Sequence, residues 1–338
     1  MKHILTVLCA SLILFSCGND KKEQSEKSAS SGIPEVDRLT RLIEKRPTDD
    51  QLYFQRAEVY YNNGLYDLSA RDADRAIDLD STRWEYHHLM ADALLDNARS
   101  RESLRALEYY LQINPQRVPT WLKLTEFQYI LKQYDDALRS INKIVEIDPQ
   151  ESEAYFMLGK VLLDKGDQDK ALNAFQTATE MDSGNTEAWL SMGNMLTDQE
   201  NPQALRYIEN GLAIHPEHIP LLQSKGYALQ KFGRMNDALA VFDKITSLET
   251  KNPEGHFNKG VVYLKMDSLD NAEKSFEIAQ KLDPTNYLFY LNRGYVLERL
   301  NKLQQALEQY EQAEKLNSTK DERVLESIAL LKAKINDQ

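Results

Sequence analysis

Residues 152–185 read SEAYFMLGKVLLDKGDQDKALNAFQTATEMDSGN, and this stretch decides the fold. Tyr155, Leu158 and Leu162 recur at steps of three and four residues, and so do Ala171, Phe175 and Ala178. That spacing gives each half one apolar helical face, so the stretch holds two amphipathic helices. Gly166 lies between them, where a helix end favours a left-handed residue; Gly64 and Gly233 hold the same place elsewhere. The unit recurs along most of the chain. A small residue follows the turn at Ser69, Ser103, Ala137, Ala171, Ala204, Ala238, Ala272 and Ala306, a step of 34 residues throughout except for 33 from Ala171 to Ala204. A fixed period of this length means stacked supersecondary units that close a core only against their neighbours. It leaves no room for a catalytic domain, and no strand is expected.

Further columns follow the same register. A small position in the first helix is filled by Ala57, Ala91, Thr125, Gly159, Gly193, Gly226, Gly260 and Gly294. A larger position in the second reads Ala73, Leu107, Ile141, Phe175, Ile208, Phe242, Phe276 and Tyr310. Pro115, Pro149, Pro216 and Pro284 stop second helices, because proline cannot continue the backbone ladder; Ser81, Ser183, Thr250 and Ser318 fill the other stops. Toward the next unit stand Ala76, Ala178, Gly211, Ala279 and Ala313, with Tyr110, Ile144 and Ile245 as departures, which in the family that this pattern resembles would widen their joints.

On these columns the chain resembles the tetratricopeptide repeat family, from Leu52 to Ser318. The resemblance implies an all-α fold, a right-handed α-solenoid of stacked helix-turn-helix units. Eight repeats are expected over residues 50–320, at 50–83, 84–117, 118–151, 152–185, 186–218, 219–252, 253–286 and 287–320. Val36, Leu39, Leu42 and Ile43 form a stripe expected to cap the amino-terminal end over 34–49. Thr319 to Glu322 has capping-box spacing, and Val324, Ile328, Leu331 and Ile335 form one face of a carboxy-terminal cap over 321–338. Open solenoid ends would otherwise leave apolar surface in water.

The amino terminus carries a processing signal. Ile4 to Phe15 is an apolar run of 12 residues, too short to span a bilayer, and Leu14, Phe15, Ser16 and Cys17 resemble the lipobox of bacterial lipoproteins. The resemblance implies a signal peptide over 1–16, cleavage before Cys17 and acylation of Cys17. The competing reading is an ordinary secretory signal in which Cys17 is incidental. Residues 17–33 are then a lipidated tether; Gly18 to Gly32 is polar and unpatterned, with a typical end-to-end distance of roughly 20 Å if flexible. The residue after Cys17 is not Asp, which by analogy points to the outer membrane. Cys9 leaves with the signal and the repeats contain no cysteine, so the array has neither a disulfide nor a thiolate site.

Charge and motifs bound the function. The chain has 41 basic and 53 acidic residues, and the mature form, without Lys2, has 40 against 53. An acidic solenoid does not suit phosphate neutralisation, so a nucleic-acid partner is set aside. His87 and His256 stand where other units have Tyr53, Trp121, Tyr155, Trp189 and Tyr290, so packing accounts for them. His88 is next to His87, and His215 and His218 flank a repeat boundary; no metalloprotease, nucleophile-elbow or phosphate-loop motif occurs. The chain is therefore read as non-catalytic, without metal, cofactor or small-molecule substrate.

In the resembling family the first helices line a concave side, and their fifth, ninth, twelfth and thirteenth positions face a bound partner. The ninth column reads Glu58, Asp92, Glu126, Lys160, Asn194, Tyr227, Val261 and Tyr295; the thirteenth reads Asn62, Asp96, Ile130, Asp164, Asp198, Lys231, Lys265 and Arg299. The first column turns from acidic to aromatic, and the second reverses sign after the fifth repeat, which implies an acidic half and a basic half of one surface. Solvated surface charges sorted by chance are the alternative. Phe54, Tyr61, Leu122, Tyr129, Phe156, Leu163, Phe257 and Leu264 are expected to grip a ligand segment. Asn194 and Lys160 lack the matched neighbours needed for a carboxylate clamp. Two functions fit: an envelope-anchored module binding protein or peptide segments in its groove, or a structural scaffold subunit of an outer-membrane secretion, motility or assembly machine.

Overall fold

The computed structural model describes residues 31–317 and 321–336, so the expected signal peptide, Cys17 and most of the tether lie outside the described residues, as does the start of the Thr319–Glu322 box. Among the described residues there are eighteen helices and no strand. Helix α1 (Pro34–Lys45) precedes the pairs α2 (Asp50–Asn62) with α3 (Tyr66–Leu79), α4 (Trp84–Asp96) with α5 (Ser100–Ile113), and α6 (Val118–Ile130) with α7 (Tyr134–Ile147). Next come α8 (Ser152–Asp164) with α9 (Gln168–Met181), α10 (Thr186–Asp198) with α11 (Gln203–Ile214), and α12 (Ile219–Lys231) with α13 (Met235–Leu248). The last pairs are α14 (Pro253–Lys265) with α15 (Leu269–Leu282) and α16 (Tyr287–Arg299) with α17 (Leu303–Leu316), followed by α18 (Glu322–Asn336). Each helix packs on its chain neighbours, which makes the molecule an all-α solenoid.

One turn joins every pair. Its central residue is left-handed at Gly64, Ala98, Lys132, Gly166, Glu200, Gly233, Asp267 and Asn301. The next N–H then donates to the carbonyl five residues back, from Leu65 to Tyr60 at 2.9 Å and from Lys302 to Leu297 at 2.9 Å. This bond satisfies a carbonyl that the helix end leaves open. Only three of these positions are glycine. At the other five the turn imposes a conformation that costs about 1–2 kcal/mol for an L side chain.

Inside each pair, the small first-helix position receives the large residue of the second. A methyl added at Gly260 would lie 2.6 Å from the buried Phe276 ring, and one at Gly294 would lie 2.6 Å from Tyr310. Gly159, Gly193 and Gly226 meet Phe175, Ile208 and Phe242 in the same way. Between pairs, Ala76, Ala178, Ala279 and Ala313 are fully buried. Tyr110 is 3% exposed at its joint, where a convex cleft of about 680 Å³ opens between α5 and α7 over Leu111, Trp121 and Ser140.

The ring column of the first helices ties most units to the preceding stop, the units of Leu222 and His256 being the exceptions. Trp121 Nε1–H donates to the Pro115 carbonyl at 2.9 Å, Tyr155 O–H to Pro149 at 2.9 Å and Trp189 Nε1–H to Ser183 at 2.9 Å. His87 Nε2 makes the equivalent contact with the Ser81 carbonyl at 3.0 Å. His87, 1% exposed, thus serves the fold. At the ends, Leu39 and Ile43 of α1 pack on Leu52, while Val324, Ile328 and Leu331 of α18 cover Leu297, Leu303 and Tyr310. No helix among the described residues is long and apolar enough to cross a membrane.

Candidate functional site

The first helices of adjacent pairs approach one another directly, α2 to α4, α4 to α6, α6 to α8 and α10 to α12, more closely than the second helices do. They therefore line the inner side of the curve. Two pockets open along it.

The first, of about 370 Å³, lies between α4, α6 and α8, where Leu122, Glu126 and Lys160 meet Trp84, His88 and Glu153. Asp92 pairs with Lys123 at 2.7 Å beside it. Burial raises the Asp92 carboxyl, against the pull of Lys123. Burial also raises the Glu153 carboxyl; Lys160 opposes this, and Glu151, Glu126 and Glu187 add to it. His88 bonds to Thr120 Oγ1 at 2.9 Å. Burial first, then Lys123 and Arg117, push its imidazole down to about 3, so it is neutral at pH 7. Lys160 lies 4.5 Å from the Tyr129 ring centroid. Burial and the Asp164 carboxylate push the Tyr129 hydroxyl up to about 12.

The second pocket, of about 750 Å³, lies between α10, α12 and α14 and gathers Asn194, Tyr227, Phe257 and Lys265 with Ser224 and Gln230. Tyr227 is 50% exposed and offers a ring to the groove. Phe257 has its ring 5.5 Å from Phe276 and 5.1 Å from Phe289, so it is held rigidly from behind. Asn194 Oδ1 accepts from Ser224 Oγ at 2.6 Å, which leaves its NH₂ for other partners. Lys265 has no bonded partner among the described residues.

Several other predicted contacts serve the solenoid. Phe156 is 8% exposed and packs against Phe175, so it belongs to the core and cannot grip a ligand. Phe54 packs on Tyr86 with ring centroids 4.8 Å apart. Asp96 accepts from Tyr61 O–H at 2.6 Å. The charge reversal in the thirteenth column is partly spent within the array: Lys231 donates to the Asp198 carbonyl at 3.3 Å, and Arg299 donates to Asp267 at 2.5 Å. Glu58 and Tyr295 remain exposed, with the Glu58 carboxyl raised by burial. Sequence reasoning missed Trp84 and Ser224, which stand outside the four columns and reach the pockets only through stacking, and it passed over His88 and Gln230, which stand in the fifth and twelfth columns but are neither aliphatic nor the aromatic residues sought there. No group of three His, Cys, Asp or Glu side chains able to hold a metal occurs among the described residues.

The tetratricopeptide repeat family profile matches residues 224–287 and 257–321, and a second profile of that family matches 141–173. This is a tetratricopeptide repeat protein. Its repeats form a protein–protein interaction module, a fold that is generally non-catalytic. No curated protein matches the chain. Among solved structures it is similar to the C-terminal part of a TPR repeat-containing protein from Cytophaga hutchinsonii, with TM-score 0.56 and 16% identity over 70% of this chain and 98% of that one. A tetratricopeptide repeat protein from Parabacteroides merdae gives TM-score 0.54 and 15% identity over 73% and 98% of the two chains. The APC/C hetero-tetramer Cut9–Hcn1 gives TM-score 0.52 and 17% identity, with 88% of this chain spanning 58% of that one. At these identities the likeness is one of fold.

Proposed function

We propose that this tetratricopeptide repeat protein is a lipid-anchored, non-catalytic module of a bacterial cell envelope, which captures extended segments of envelope proteins along the inner faces of its first helices. The observation behind this reading is the pocket between α10, α12 and α14. There, half-exposed Tyr227, rigid Phe257, the free amide edge of Asn194 and the unpaired Lys265 face one space of about 750 Å³. Aromatic rings set among amide, hydroxyl and charged groups suit a side-chain anchor, and an amide suits an extended backbone. Acylation at Cys17 would hold the array near the membrane, with the outer membrane as the favoured location.

Photo-crosslinking in cells tests the groove. A crosslinker at Tyr227 should trap a defined envelope protein, whereas one at Ile278, exposed on α15, should not. Capture from Ile278 alone would reject groove binding and favour the scaffold reading, for which the convex cleft between α5 and α7 is the supporting feature. Cys17→Ala should remove acylation and move the protein to the soluble fraction; an unchanged membrane fraction would reject the anchor.

A further inference from the structure

The end units of a solenoid need a polar outer face, because no further repeat stacks on them. Helix α1 meets that need: after Pro34, every exposed residue in it is charged, namely Glu35, Arg38, Arg41, Glu44 and Lys45. Helix α18 does not. Its inner side holds Val324, Ile328 and Leu331 against the last pair, but Leu325 and Leu330 lie on the outer side at 53% and 65% exposure. Leu330 is the most exposed large apolar side chain among the described residues. Ala329 and Ala333 are exposed beside the two leucines. Isolated exposed leucines need no explanation; the charges around Leu330 are what single out this face.

Glu326, Leu330 and Lys334 follow one another at steps of four residues, so they form one stripe along the helix. Glu326 is exposed and has no bonded partner among the described residues. Lys334 lies 3.3 Å from Glu298 but is still 48% exposed, and an ammonium has three N–H groups to share. This stripe is its own complement. A second α18 laid antiparallel across it, on a two-fold axis at Leu330, sets leucine against leucine and each Glu326 opposite the partner's Lys334. The exposed Ala329 and Ala333 let the two backbones approach. A parallel pair in register would oppose like charges, and stacking on α1 would press the leucines onto charged side chains. We propose that the outer face of α18 pairs with the same face of a second copy of this chain, forming a two-fold dimer of solenoids. One helix face is small for an interface, so the dimer is reversible and not permanent. The pairing goes beyond the groove reading and does not depend on it.

Sedimentation equilibrium of the full-length protein, in detergent matched to the density of the solvent, tests the pairing. With rising concentration the mass should climb from one chain to two and stop there. Leu330→Glu puts two carboxylates on the axis and should leave a monomer of unchanged helix content, because the side chain it replaces faces solvent. Glu326→Lys and Lys334→Glu should each weaken the dimer roughly 10-fold or more, since each turns two attractions between exposed charges into repulsions. Mixing these two variants should return the affinity to about that of the wild type, each chain then supplying the charge that the other lacks. A monomer at every concentration would overturn the proposal. So would a dimer indifferent to Leu330→Glu, a mixture that fails to recover, or growth beyond two chains, the mark of head-to-tail stacking. In cells, a photo-crosslinker at Leu330 should join two copies of the chain; capture of lipid or of a different protein alone would give the face another occupant and reject the dimer. All of these outcomes leave the groove reading to its own test.

Discussion

Gly260→Ala and Phe276→Leu together test whether the repeats are held at their spacing by a matched small and large residue. A methyl at Gly260 would lie 2.6, 2.7 and 2.9 Å from three carbons of the Phe276 ring, which is fully buried between α14 and α15. The ring is rigid, so the helices or the side chain must shift, at a cost of about 1–3 kcal/mol for overpacking. Alanine is the better helix former by about 1 kcal/mol, so Gly260→Ala alone should destabilise by roughly 0–2 kcal/mol. Phe276→Leu alone leaves a partial cavity and should cost about 1–2 kcal/mol. The double change recreates the Ala91 and Leu107 pair of the second repeat, both of which are fully buried. The added methyl then fills part of the space that the ring vacated. The double variant should therefore lie close to wild type, with a coupling of about 1–3 kcal/mol between the sites. Urea unfolding followed by circular dichroism measures the four members of the cycle. Hydrogen exchange in α14 and α15 localises the effect, because solenoids open in parts. Additive effects, with coupling below about 0.5 kcal/mol, would refute the matched-pair account.

Ala98→Gly and Lys132→Gly, at φ of 57° and 56°, should each stabilise by about 0.5–1 kcal/mol, since relief of left-handed strain exceeds the added unfolded-state entropy; thermal melts that fall instead would contradict the turn assignment. The His88 imidazole stays neutral in the folded state down to about 3. The unfolded chain takes up a proton near pH 6.5, so His88 makes stability fall as pH drops from about 7 toward 3. In chemical denaturation at several pH values, His88→Gln should flatten that fall; an unchanged slope would mean that the imidazole is not held neutral. Truncation after Asn317 removes α18 and bares Leu303 and Tyr310, so α17 should lose exchange protection and dye binding to apolar surface should rise.

Much of the fold was legible because a solenoid uses local, repeated contacts. Leu158 and Phe175 mark their helices by period alone, and Gly159 opposite Phe175 announces the pairing at fixed separation. The turns were legible at Gly64, Gly166 and Gly233, but Ala98, Lys132, Glu200, Asp267 and Asn301 carry no local signal for the same conformation. There the helix-end hydrogen bond imposes the backbone and the side chain follows. For the groove, column membership was readable and availability was not. Phe156 and Phe257 stand in one column, yet Phe156 is buried against Phe175 while Phe257 lines an open pocket.

By itself the sequence determined the period, the helix pairs and the packing role of His87, because each follows from spacing along a single helix or between adjacent ones, while the columns that face inward were implied by the family resemblance. Only the tertiary structure decided which column members remain free. Lys231 and Arg299 bond to Asp198 and Asp267 of the preceding unit, whereas Lys265, in the same column, has no such partner. The distances that leave a group bonded or unbonded arise between units, where the rotation of one repeat on the next sets the geometry, and no residue spacing within a unit encodes it.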